Sequence, residues 1–69
     1  MNKLNSIQTF SIFCMEAYKN EKRINGSELL IEFNKYNVLK FLEDGFEVLH
    51  TQSINYIIKE ISDYIKQRK

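Results

Sequence analysis

The chain has 69 residues, with ten Lys and Arg, nine Asp and Glu and one His, for a formal net charge of +1. Hydrophobic residues make up 43% and charged residues 28%, which is ordinary for a globular domain and excludes an intrinsically disordered chain. The near-neutral charge argues against a dedicated nucleic-acid binder, which usually carries a basic excess. We expect residues 1–69 to form one helical domain, near the lower size limit for independent folding.

The scarcity of turn residues favours an all-α fold. There is no proline, and the two glycines are too few for the Gly and Pro clusters that separate β-strands. A single cysteine cannot form an internal disulfide, so no oxidising compartment is implied. No signal peptide is expected, because the first residues lack a continuous apolar run and a cleavage site. No stretch approaches the roughly 20 apolar residues of a membrane span. We therefore expect a cytoplasmic protein.

Apolar periodicity predicts four helices, over residues 6–20, 26–36, 38–50 and 54–67. The first helix has one apolar face with helical spacing, formed by Ile7, Phe10, Cys14, Ala17 and Tyr18. Phe13 lies beside this face and widens it. Ile12 and Met15 fall partly outside it, so they either contact a second side of the core or belong to an interface with another chain.

The start of the second helix carries a strong local signal. Asn25 is followed three residues later by Glu28, which is the spacing of a capping box, with Ser27 as the competing cap. Ile24 and Leu29 stand at the positions of a hydrophobic staple if Asn25 is the cap. The helix is expected to bury three side chains of its apolar face, namely Leu29, Leu30 and Phe33.

A tight turn is predicted between the second and third helices. Asn37 is expected in the left-handed conformation there, because Asn is the usual second choice to Gly at a helix C-terminus. The third helix carries one apolar face, made of Val38, Leu39, Leu42, Phe46 and Leu49. Gly45 is a poor helix former that lies inside this segment, but the apolar periodicity continues through it. Either Asp44 and Gly45 break the helix, or Gly45 lets another helix approach closely. We favour an unbroken helix with close packing, because the periodicity continues through Gly45.

The fourth helix has the clearest apolar stripe of the chain, formed by Ile54, Ile57, Ile58, Ile61 and Ile65. Thr51 or Ser53 can cap its first turn. We expect the stripe to pack against the first and third helices. Tyr56 and Tyr64 lie beside the stripe.

No catalytic signature is present. The sequence lacks Gly-rich phosphate loops, paired Cys and His spacings and metalloprotease motifs, so no enzyme, cofactor, metal or small-molecule substrate is predicted. Cys14 lies within an apolar stripe, where a buried thiol is inert, and a pairing with His50 is the less favoured interpretation. His50 itself is either a proton carrier at a surface or, as we favour, a helix-end residue bonded to a late carbonyl.

Basic residues cluster near the ends of the first and fourth helices: Lys19, Lys22, Arg23, Lys66, Arg68 and Lys69. An antiparallel pairing of these helices would bring the clusters together as a nucleic-acid site, which is the alternative function. A helix-turn-helix reader is not favoured, because its recognition helix should expose basic or amide side chains. The third helix instead offers Glu43, Asp44 and Glu47.

Several short segments resemble a known family. They are FSIFCMEAYK at residues 10–19, GSELLIEF at 26–33, YNVL at 36–39 and LHT at 49–51, followed by the isoleucine-rich helix. Together they resemble a small bacterial family of uncharacterised helical proteins, domain-of-unknown-function family 3791, in which Gly often replaces Asn37. The resemblance implies an antitoxin or accessory role beside ADP-ribosyltransferase-like toxins. It supplies no catalytic residues.

The expected function is a non-enzymatic protein–protein interaction module, with a toxin or a second copy of the chain as partner. Apolar and aromatic side chains outside the predicted core are the candidates for partner contact, joined by the helix-end histidine: Ile12, Met15, Phe41, Tyr56, Tyr64 and His50.

Overall fold

A computed structural model describes residues 3–69, with side chains described from residue 5 onward. These residues form five α-helices: α1 (Lys3–Lys22), α2 (Gly26–Lys35), α3 (Val38–Asp44), α4 (Phe46–Leu49) and α5 (Ile54–Arg68). No strand occurs in this range, which confirms the all-α class. Over the same residues, no helix has both the length and the apolarity needed to cross a membrane.

All five helices contribute to one apolar core. α1 contacts α5, α3 and α2, and α5 also contacts α3. The predicted isoleucine stripe is confirmed, since Ile57, Ile58, Ile61 and Ile65 are buried and Ile54 packs against them. The remaining buried side chains are Cys14, Tyr18, Leu29, Phe33, Val38, Leu42 and Leu49. The last helix therefore packs against the first and third, as expected.

The end of α1 is closed by a left-handed residue that the sequence did not indicate. Arg23 has φ 56°, and its N–H donates to the Asn20 carbonyl oxygen at 3.3 Å. The Ile24 N–H donates to the Lys19 carbonyl oxygen at 3.2 Å. These two bonds are the pair that defines a Schellman motif, and they satisfy two carbonyl groups that the helix itself leaves unpaired.

The capping box and the left-handed turn predicted at the two ends of α2 are confirmed. Asn25 accepts a bond from the Glu28 N–H at 2.8 Å, and the Asn25 N–H donates to the Glu28 carboxylate at 3.2 Å, which completes the capping box. Asn37 has φ 56° and ψ 44°, so it occupies the left-handed region. Ser53, one of the two caps expected for the last helix, accepts a bond from the Tyr56 N–H.

The unbroken third helix is wrong, because the chain forms α3 and α4 with Gly45 between them. The Gly45 N–H still donates to the Phe41 carbonyl oxygen at 3.0 Å, and its own carbonyl accepts from Leu49 at 2.8 Å. A Cβ at Gly45 would lie 3.0 Å from Leu49 Cδ1 and 3.3 Å from the Phe41 oxygen. The close approach therefore comes from neighbouring turns of the same segment and not from another helix.

Three apolar residues assigned to helix faces lie at the surface instead. Leu30 is 50% exposed, Leu39 is 40% exposed and Phe13 is also exposed. α2 and α3 are short, so each covers the core with only a narrow strip of its surface. Leu30, one position after the buried Leu29, is turned toward solvent.

Candidate functional site

An apolar groove runs between α1 and α3. It has a volume of about 440 Å³ and is lined by Ile7, Gln8, Ser11, Ile12, Met15, Leu39 and Glu43. We call it the α1–α3 groove. Ile12 is 62% exposed, and Leu39 faces it from the other helix. The groove therefore offers solvent-facing aliphatic surface with polar side chains among its lining residues.

The candidate partner-binding residues do not share one environment. Ile12, Tyr56 and His50 are exposed, as an interface role requires. The exposure expected for Met15, Phe41 and Tyr64 is not observed, since all three are half-buried and pack against the core. Met15 still lines the α1–α3 groove. The three side chains are half-buried because each packs against the apolar core formed by the helices.

Phe41 and Tyr64 form an aromatic stack between α3 and α5. Their ring centroids lie 4.2 Å apart with an interplanar angle of 28°. The guanidinium carbon of Arg68 lies 3.7 Å from the Tyr64 ring centroid, so its charge is held over an aromatic face. The stack joins α3 to α5, and the Tyr64 ring is in contact with both Phe41 and Arg68.

His50 lies at the end of α4, where the helix-end interpretation placed it. Its Nδ1–H donates to the Phe46 carbonyl oxygen at 2.7 Å. Its ring stacks on that of Phe46, with centroids 4.6 Å apart and an interplanar angle of 14°. Phe46 in turn meets Phe10 of α1 edge-on at 5.4 Å. A partner role for the exposed edge of His50 stays a prediction.

A second, larger cavity of about 870 Å³ lies where α1 and α5 end beside α2. We call it the lysine-rimmed cavity. Its basic lining residues are Lys22, Lys35, Lys66 and Lys69, and its acidic ones are Glu28 and Glu32. Its apolar, aromatic and hydroxyl-bearing lining residues are Tyr18, Ile24, Ile31, Tyr36, Ser62 and Ile65.

The predicted basic clusters are only partly brought together. Lys22, Lys66 and Lys69 line the same cavity, whereas Lys19 does not line it and pairs with Glu16 at 3.6 Å. Arg23 and Arg68 are also outside the cavity lining. Because α1 and α5 both end at this cavity, they lie side by side with their C-terminal ends on one side. The antiparallel arrangement expected from the sequence is therefore wrong.

One hydrogen bond crosses the wall of the lysine-rimmed cavity. The buried Tyr18 hydroxyl donates to Glu32 Oε1 at 2.8 Å. Burial, followed by this bond and the nearby negative charge, raises the pKa of Tyr18. Glu28, the other acidic lining residue, accepts its bond within the capping box. Both carboxylates are thus engaged, while the lysine ammonium groups reach into solvent.

Two lysines of the cavity are held over aromatic rings. Lys22 Nζ lies 5.7 Å from the Tyr18 ring centroid, and Lys35 Nζ lies 5.3 Å from that of Tyr36. Such contacts attract the ammonium group to the ring face and restrict its position. Ser62 also lines the cavity. Its Oγ is buried and has no hydrogen-bond partner among the described residues.

Cys14 is fully buried, and burial raises the pKa of its thiol to about 11. The thiol therefore keeps its proton at neutral pH, and it lies in the core while the His50 ring is exposed. This is not the environment of an activated nucleophile. Among residues 5–69, no group of three or more His, Cys, Asp and Glu side chains is arranged to hold a metal ion.

Sequence reasoning missed most of the lysine-rimmed cavity. Lys35, Tyr36 and Ser62 come from α2 and α5, and nothing in their spacing indicates that they meet. One sequence signal could have indicated the cavity: α2 carries a basic residue, Lys35, in its last turn, as α1 and α5 do in theirs. The exposed residues Leu30, Ile31 and Val48 were also not proposed for contact.

One comparison with known proteins found a match. A family described as "Protein of unknown function (DUF3791)" matches residues 9–68. This range omits the first six residues of α1 and includes every later helix. It contains all lining residues of the two surfaces described above except Ile7, Gln8 and Lys69. The comparisons with curated proteins and with solved structures found no match.

Proposed function

The chain belongs to the DUF3791 family, and we propose that it acts as a non-enzymatic protein–protein interaction module. The observation that carries the proposal is the large apolar surface left in solvent on a chain of this size. The side chains concerned are Ile12, Phe13, Leu30, Ile31, Leu39, Val48 and Tyr56. Scattered single residues of this kind are ordinary, but a lined groove marks a binding surface.

The α1–α3 groove is the surface that fits a partner best. Its walls are helical and its exposed aliphatic side chains come from both, with flexible Met15 at its lining. Glu43, which lines the groove, is exposed and carries a negative charge. The fitting occupant is a helix of another protein, with an apolar face in the groove and a Lys or Arg beside Glu43.

We further propose that the partner is a toxin, with this chain acting as its antitoxin or accessory protein in the cytoplasm. The support is the antitoxin or accessory role that the resemblance of the segments around residues 10–19 and 26–33 implies. A neutralising partner acts by covering a surface, which requires complementary shape and no catalytic group.

Co-expression with the product of the neighbouring gene, followed by pull-down, tests the proposal. We expect the pair to co-purify, and we expect Ile12→Lys to reduce recovery at least about tenfold, because it places a charge in the apolar groove. Gln52→Lys, which adds the same charge at an exposed position of the loop before α5, is the matched control and should leave recovery unchanged.

Sedimentation of the purified chain separates the possible occupants. A monomer that recovers no neighbouring gene product would overturn the proposal. A dimer lost in Ile12→Lys and kept in Gln52→Lys would show that a second copy fills the α1–α3 groove. Circular dichroism of both variants verifies that the helices are intact, since each change is made at an exposed side chain.

A further inference from the structure

We propose that the lysine-rimmed cavity binds an acidic segment of the protein partner, in which an apolar side chain is flanked by Asp or Glu carboxylates. The inference rests on the proposed function and adds the chemistry of a second contact. It concerns a surface separate from the α1–α3 groove, because the two cavities share no lining residue.

The charge of the lining residues favours an anionic ligand. Four lysines are exposed around the cavity, and two glutamates share its lining. Glu32 is already engaged by the Tyr18 hydroxyl, and Glu28 by the Asn25 N–H. The ammonium groups of Lys22 and Lys35 are each held over a tyrosine ring, so part of their side-chain freedom is lost before binding.

The remaining lining residues require an apolar component in the ligand. Ile24, Ile31 and Ile65 belong to the lining, and Ile31 is 67% exposed, the largest value among the exposed apolar side chains of the described residues. An apolar side chain of the ligand would remove Ile31 from water. The same ligand would place its carboxylates near the lysines, as in interfaces with an apolar centre and a charged rim.

Ser62 adds a polar group that lacks a partner. Its Oγ is buried beside the cavity and makes no hydrogen bond within the described residues. Buried hydroxyls are nearly always bonded, so an unsatisfied one marks a position where an acceptor is missing. Because the Oγ itself has less than 1 Å² of accessible surface, a carboxylate of the ligand reaches it only if the Ser62 side chain rotates toward the cavity.

A peptide fits these features better than a nucleic acid. The isoleucines of the lining offer nothing to a phosphate backbone, so a nucleic acid would leave the apolar part of the cavity unused. The overall charge of +1 also supplies little long-range attraction for a polyanion. An acidic peptide needs only two or three charges near the lysines and gains from apolar burial.

The test is a titration of the ¹⁵N-labelled chain with a synthetic hexapeptide, acetyl-Asp-Glu-Phe-Leu-Glu-Asp-amide, followed by amide chemical shifts. We expect saturable shifts at residues of the cavity, around Lys22, Ser62 and Lys66. Raising NaCl from about 50 to 500 mM should weaken binding, because the Debye length shortens. The double variant Lys22→Glu/Lys66→Glu should weaken it about tenfold or more.

Two controls make the test specific. Lys40→Glu/Lys59→Glu changes net charge equally at two exposed lysines outside the cavity, and it should leave binding unchanged. A peptide with Lys at each acidic position should not bind. Equal weakening by both double variants, shifts confined to the α1–α3 groove, no saturable shifts at millimolar peptide, or tighter binding of duplex DNA or inorganic phosphate to the cavity would each overturn the inference.

The pull-down separates this inference from the proposed function. A partner lost in Ile12→Lys but fully retained in Lys22→Glu/Lys66→Glu would leave the interaction module standing and overturn the second contact. Reduced recovery in both variants would support both.

Discussion

The Tyr18 hydroxyl and the Glu32 carboxylate join α1 to α2 through a bond of 2.8 Å. Tyr18 is 4% exposed, and its ring also packs at 5.5 Å against that of Phe33. A hydroxyl buried to this extent needs an acceptor, and Glu32 provides a charged one. This polar contact therefore adds to the apolar packing that holds the first two helices together at the lysine-rimmed cavity.

Tyr18→Phe should lower the free energy of unfolding by about 1–2 kcal/mol, because it removes a bond to a charged acceptor and keeps the buried ring. Urea denaturation measures the difference. Tyr56→Phe is the matched control, since the Tyr56 hydroxyl bonds to Glu60 on an exposed surface, and it should change stability by less than about 0.5 kcal/mol. Equal effects of the two changes would contradict the structural role of Tyr18.

The two glycines should respond oppositely to alanine. At Gly26 an added Cβ meets no atom within 4 Å, so Gly26→Ala should stabilise α2 by up to about 0.5–1 kcal/mol through the lower entropy of the unfolded chain. At Gly45 the added Cβ presses on buried Leu49 and on the Phe41 carbonyl oxygen. Gly45→Ala should destabilise the protein by about 1 kcal/mol, because repacking outweighs the propensity gain. Thermal unfolding of both variants measures this, and a stabilised Gly45→Ala would show that Leu49 moves freely.

Replacing the left-handed residue after α1 by glycine should stabilise the folded protein. Arg23 adopts φ 56°, which is strained for a residue with a Cβ. Arg23→Gly should therefore raise the free energy of unfolding by about 0.5–1 kcal/mol, measured by urea denaturation. Asn37→Gly is the comparison, because Asn37 has the same φ but tolerates it better, so its gain should be smaller. A destabilised Arg23→Gly would mean that the Arg23 side chain makes a contact of its own.

Cys14 should make stability depend on pH in the alkaline range. Burial raises the pKa of its thiol from 9.0 to about 11 in the folded protein. Between these pH values the thiol has lost its proton in the unfolded chain but keeps it in the folded protein. The contribution of Cys14 to the free energy of unfolding is therefore complete below pH 9 and is lost as the pH rises toward 11. At pH 10 the free energy of unfolding of the wild type should be about 1 kcal/mol lower because of this group.

The comparison with Cys14→Ala isolates the thiol, because the tyrosines and lysines titrate in both proteins. The variant should be less stable at neutral pH, since it leaves a small void, but its stability should fall less between pH 8 and 10. Urea denaturation at several pH values measures the two slopes. Parallel slopes would show that the Cys14 pKa is not raised by folding.

Sequence signals were reliable where short-range physics determines the structure. The capping box at Asn25 needs only a side chain and an N–H three residues away. The left-handed turn at Asn37 depends on the local tolerance of Asn for positive φ. The isoleucines of α5 were placed correctly because one strongly periodic stripe leaves a single way to bury it.

The sequence-based predictions are wrong where contacts between helices determine the structure. Leu30 belongs to an apolar run, but the narrow contact of α2 leaves it in solvent. Arg23 has no intrinsic preference for the left-handed region, so only the chain path into α2 explains it. The lysine-rimmed cavity depends on how α1, α2 and α5 meet. Periodicity reports which residues share a face, and it does not report which faces meet.

Lys69 lines the lysine-rimmed cavity, so any chain fused to it begins at that cavity. α1 is 20 residues long, which places its start about 30 Å from its end at the cavity. A flexible acidic tag attached after Lys69 would be present at an effective concentration on the order of millimolar and would compete with a ligand in solution. The same tag ahead of α1 would not reach as readily. The position of a fusion therefore sets whether the cavity stays available.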